Sequence, residues 1–72
     1  MNYLDFLIKS YSHLSLEELF KKQKEADEFY TWKNTTVPTD MRTAVRMCLQ
    51  ARAKDDSTVY KKWREYEQAR VH

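Results

Sequence analysis

The 72-residue sequence predicts a compact all-α bundle of three to four short helices, spanning about 3–12, 16–33, 40–54 and 58–70, in a single domain, 1–72. Three observations carry this prediction. The chain has no glycine and a single proline, Pro38. Glycine supplies the positive-φ turns of hairpins and the loops that cradle phosphates, so its absence argues against hairpin-rich β folds, dinucleotide sites and P-loops together. Apolar residues recur at helical spacing through most of the chain. A chain this short also holds one core, and on general scaling it exposes roughly 4,800 Å² folded against roughly 12,800 Å² unfolded, which buries only about 60%.

The first helix follows from Leu4, Leu7, Ile8 and Tyr11, which stand at i, i+3, i+4 and i+7, with Asn2 as its N-cap. The second has the clearest start in the chain. Ser15-Leu16-Glu17-Glu18 is a capping box, and Leu14 and Leu19 occupy the two positions of a hydrophobic staple. Leu16, Leu19, Phe20, Ala26, Phe29, Tyr30 and Trp32 fall mostly on one face of this helix, opposite Lys21, Lys22, Lys24, Glu25 and Glu28. Lys33 is expected in its last turn, with Asn34 as a left-handed C-cap in place of glycine.

Residues 34–38 read as a loop, because two threonines and a residue before proline disfavour helix there. Thr39 is then the expected cap of the third helix, with Asp40 at the positive end of its dipole. Met41, Ala44, Val45, Cys48 and Leu49 form the apolar stripe of that helix. Asp55 and Asp56 oppose its dipole but suit the start of a following helix, so a break is expected there, with a fourth helix from Ser57 or Thr58. Val59, Tyr60, Trp63, Tyr66 and Arg70 lie along one side of the fourth helix. The competing reading is one uninterrupted helix from 39 to 70. In the preferred reading the second and third helices form an antiparallel pair, closed by the two shorter segments.

The net charge of +2 is too small to imply a nucleic acid or an anionic membrane unaided. It is unevenly spread: residues 1–36 hold five bases and six acids, a net of −1, and residues 37–72 hold eight bases and five acids, a net of +3. Arg42, Arg46, Gln50 and Lys54 recur every four residues and form a ridge, the spacing by which a helix tracks phosphates or an acidic groove. Tyr60-Lys61-Lys62-Trp63-Arg64 interleaves aromatics with bases, a composition that stacks on bases or anchors a protein interface. The expected partner-binding residues are therefore Arg42, Arg46, Lys54, Tyr60, Lys61, Lys62, Trp63 and Arg64. The plainer readings are a solvated helix face for the ridge and core packing for Tyr60, Trp63 and Tyr66.

No catalytic, cofactor or metal motif stands out. His13 and His72 have no second ligand at helical spacing, and Cys48 on the apolar stripe acts as a small hydrophobe unless His13 approaches it. Met47 falls outside the stripe as a modest contact candidate. One cysteine cannot form an internal disulfide, and no stretch has the length of a membrane span or the build of a signal peptide, so a cytoplasmic location is expected.

The expected function is that of a non-enzymatic helical interaction protein, an adaptor, inhibitor or regulatory subunit binding a larger protein or itself, without cofactor, membrane or small-molecule substrate. The alternative is a small nucleic-acid-binding regulator using the basic second half. Either role suits a cellular protein or one carried by a mobile element such as a phage.

Overall fold

In the computed structural model, residues 2–70 are described, the side chain of Arg70 excepted. Four helices follow one another: α1 (Tyr3–Tyr11), α2 (Leu16–Phe29), α3 (Thr36–Asp55) and α4 (Ser57–Arg70). The all-α bundle expected from the sequence is the observed fold, and among the described residues there is no β-strand, only an isolated bridge between Thr31 and Asn34.

The helix starts follow the sequence signals closely at the first two positions. Asn2 Oδ1 accepts from the Asp5 amide at 2.8 Å and caps α1. Both halves of the capping box form at α2: the Glu18 amide donates to Ser15 Oγ at 3.2 Å, and the Ser15 amide donates to Glu18 Oε1 at 3.1 Å. These hydrogen bonds, first from the Ser15 backbone and then from its hydroxyl, hold the Glu18 carboxyl below its ordinary pKa.

The stretch between α2 and α3 departs from the expectation. The second helix ends at Phe29, not near 33, and Tyr30 is extended. Thr31 and Asn34 exchange backbone hydrogen bonds of 3.3 and 3.2 Å, and Thr31 Oγ1 also accepts from the Asn34 amide at 3.0 Å. The threonine hydroxyl thus offers the backbone a local alternative to helix. Trp32 and Lys33 are left at the tip of a tight turn, and Asn34 is not a left-handed cap, since no described residue has positive φ. The third helix begins at Thr36, four residues before the expected start. Thr35 takes the cap position without a side-chain bond, so Thr39 is not the cap and Asp40 lies beyond the first turn. Pro38 is tolerated within the first turn because amides there have no intrahelical acceptor, and its ring is fully buried.

The break before α4 falls where two acids meet. Asp56 is extended, its Oδ1 accepts from the Thr58 amide at 2.9 Å, and its carbonyl accepts from Val59 at 3.2 Å. Asp56 thus turns the chain and caps α4, which rules out a continuous helix from 39 to 70.

Helix α3 is the centre of the molecule, and α1, α2 and α4 all pack on it. Contacts set the directions. Cys48 Sγ donates to the Ile8 carbonyl and Arg52 to that of Ser12, so α1 and α3 run parallel. Arg42 pairs with Asp27 and Arg52 reaches the Leu14 carbonyl, so α2 and α3 run antiparallel, as the sequence predicts. Helix α4 doubles back along α3, since Trp63 and Glu67 share a groove with Arg42 and Arg46. The core holds Leu7 and Tyr11 of α1, Leu19 and Ala26 of α2, and Met41, Ala44, Val45, Cys48 and Leu49 of α3, the last five being the stripe read from the sequence. Helix α4 adds Val59 and Trp63 at its margin. The result is flat, 36 × 34 × 15 Å, and its 5390 Å² of accessible surface exceeds the roughly 4,800 Å² typical of this mass.

Candidate functional site

The basic ridge divides once its contacts are resolved. Arg42 is held by the fold: its Nη2 lies 2.7 Å from Asp27 Oδ1, its Nε donates to the same oxygen at 2.9 Å, and its guanidinium sits 4.9 Å over the Tyr30 ring. Arg52, on the same helix, donates to the carbonyls of Ser12 and Leu14 and ties the α1–α2 connection to the end of α3. Arg46 and Lys54 stay exposed. Two of the four cations of α3 therefore serve the architecture, and the ridge offers a partner far less free charge than its spacing implies.

The interleaved aromatics of α4 divide in the same way. Trp63 packs against the core, and Tyr66 stacks on Phe20 with ring centroids 4.5 Å apart and planes 6° from parallel. The Tyr66 hydroxyl donates to the Phe20 carbonyl at 3.2 Å, giving its polar tip a partner. Tyr60 lies outside this seam and is exposed, as are Lys61, Lys62 and Arg64. The structure brings Tyr60, Lys61 and Arg64 together along a shallow groove on the outer face of α4, and places Lys62 beside a separate one near Leu16 and Phe20. Arg70 belongs to this helix, but its side chain lies outside the described residues, as does His72.

A third surface is one that the helical pattern did not single out. At the α2–α3 corner, Phe29 is 53% exposed, Tyr30 48%, Trp32 85% and Val37 39%. The Thr31–Asn34 turn lifts Trp32 away from the core, and Lys33 lies over its ring with Nζ 4.9 Å from the centroid. Three aromatics and a valine within residues 29–37, held on a closed turn between two packed helices, form a rigid apolar projection edged by a cation. The signal for it was present in the sequence: Thr31 and Asn34 are a turn pair, and any aromatic beyond Phe29 loses its place on the helix face once that turn forms.

The chemistry-bearing residues are dispersed. Cys48 is buried, its Sγ donates to the Ile8 carbonyl at 3.7 Å, and burial pushes the thiol pKa up despite the opposing influence of Arg52. An activated nucleophile needs the reverse shift. His13 is exposed in the α1–α2 connection. Among the described residues no three His, Cys, Asp or Glu side chains are grouped to hold a metal ion, and no helix is long and apolar enough to cross a membrane. No protein-family model, no curated protein and no solved structure matches this chain.

Proposed function

We propose that the chain is a non-enzymatic interaction protein, an adaptor, inhibitor or regulatory subunit, that binds a larger protein through the α2–α3 corner. The observation that carries this reading is Trp32, 85% exposed at the tip of a hydrogen-bonded turn. Tryptophan and tyrosine are the residues that most often dominate the energetics of protein interfaces, because each contributes a large apolar area with few rotatable bonds. Rigidity of the turn lowers the entropy lost on docking. The rest of the cluster, Phe29, Tyr30 and Val37, widens the patch around the anchor.

The test is affinity capture from source-cell extract with wild-type and Trp32→Ala baits, both checked by circular dichroism. The expected result is a partner retained by the wild type and lost by Trp32→Ala at unchanged helicity. Equal retention by both baits would remove the corner from the account.

A second reading, a nucleic-acid-binding regulator, is favoured by Tyr60, Lys61 and Arg64 lying together on the outer face of α4. It requires binding that weakens steeply with salt, by about one counterion per phosphate contact. Absence of any retardation of nucleic acid at low salt ends it.

A further inference from the structure

We infer that the groove between α1 and the α3–α4 elbow is a second docking site, which takes a short amphipathic segment of a protein partner whose apolar side chains are followed by a lysine or arginine. The groove is an open cleft of about 510 Å³ floored by Ile8, Met47, Cys48, Ala51 and Val59. Met47 is 45% exposed, although its neighbour Cys48 is buried. From Met47 to Asp55 the floor covers two turns of α3, about 12 Å, the length over which a helical segment places two or three side chains on one face.

Charge decides the occupant. Asp55 and Asp56 line the elbow end of the groove. Asp56 has a structural task, since it caps α4 through the Thr58 amide. Asp55 has none: it is the last residue of α3, at the negative end of the helix dipole, is exposed, and makes no hydrogen bond or ion pair among the described residues. The nearest cation on the same helix, Arg52, is turned to the carbonyls of Ser12 and Leu14. A carboxylate that opposes the dipole and lacks a partner disfavours the free protein and gains from an incoming cation. The α3 C-terminus adds unpaired carbonyls to the same end. An apolar floor ending in an anionic pole fits an apolar segment that ends in a base. This site stands apart from the α2–α3 corner and does not depend on it.

The probes are two synthetic amphipathic helical peptides with leucines at i, i+3 and i+7, one followed by two arginines and the other by two glutamates. Each is titrated into the full chain, with amide NMR shifts and the rate of Cys48 thiol labelling as readouts. The arginine peptide is expected to shift the amides of Ile8, Met47, Ala51 and Val59 saturably, to slow labelling of Cys48, and to bind about tenfold more tightly than the glutamate peptide. Asp55→Asn is expected to remove most of that preference, and Trp32→Ala to leave it unchanged. Equal affinity for the two peptides, shifts centred on the α2–α3 corner, or no saturable shift would overturn the proposal. So would groove shifts that grow with protein concentration alone, which would make a second copy of this chain the occupant.

Discussion

Two aromatic clusters, alike in composition, meet opposite fates in this molecule. On α4, Trp63 and Tyr66 stand three residues apart and share a helix face, so both turn toward α2 and α3 and close the seam against Phe20. At the α2–α3 corner, Tyr30 and Trp32 follow the last helical residue, and the Thr31–Asn34 turn sends Trp32 outward. The difference lies in the backbone beneath the aromatics. A helix of amphipathic pattern buries what its face carries, whereas a closed turn displays what it carries. The first cluster holds the fold together, and the second is available to a partner.

The comparison can be broken most forcefully at Trp63. Truncation to alanine is expected to cost about 2–3 kcal/mol, below the usual range for a fully buried tryptophan because this one sits at the core margin. Against a total of about 4–10 kcal/mol for a domain of this length, that is a large fraction, readable as a fall in the urea midpoint followed by circular dichroism. A smaller loss, about 1 kcal/mol, is expected for Tyr66→Phe, which keeps the stack on Phe20 and removes only the hydroxyl's bond to the Phe20 carbonyl. A loss as large as that of Trp63→Ala would mean that the stack itself had shifted.

Among the cations, Arg42→Ala is expected to destabilise by about 0.5–1 kcal/mol, because the pair with Asp27 is only half-buried, and Arg46→Ala to be close to neutral. Equal effects would restore the ridge as a single surface. The smallest effect concerns pH and the other end of α2, whose capping box contrasts with its uncapped end at the corner. The folded pKa of Glu18 is lowered by the Ser15 hydrogen bonds. Its contribution is therefore complete above the ordinary glutamate pKa and is lost as the pH falls through the lowered folded value. Glu18→Gln is expected to flatten that part of the acid side of the stability profile, measured as melting temperature against pH.

How much of this was legible in the sequence depended on the kind of signal. The stripe Met41, Ala44, Val45, Cys48 and Leu49, the capping box at Ser15 and the break at Asp55-Asp56 are local patterns with one physical outcome each, and all three stand in the structure. The α2–α3 connection did not yield to the same reasoning. Thr31 and Trp32 continue a helical pattern as written, and only the hydroxyl bond to Asn34 tips the balance toward a turn. Pro38 suggested a loop, yet a proline in the first helical turn meets no penalty from its missing amide. The ridge of Arg42, Arg46, Gln50 and Lys54 was legible as spacing, but the commitment of Arg42 to Asp27 is a contact across fifteen residues that no local pattern contains. Trp63 offered interface composition and core spacing together, and packing chose the second.

The central claim is that Trp32 is displayed and is not needed for folding. Urea denaturation of Trp32→Ala beside the wild type tests it directly. The expected result is an unchanged midpoint and slope, with the free energy of unfolding within about 0.5 kcal/mol of the wild type, as for a surface side chain. A loss of about 2 kcal/mol or more, comparable to that of Trp63→Ala, would show that the corner is part of the core and would contradict the account.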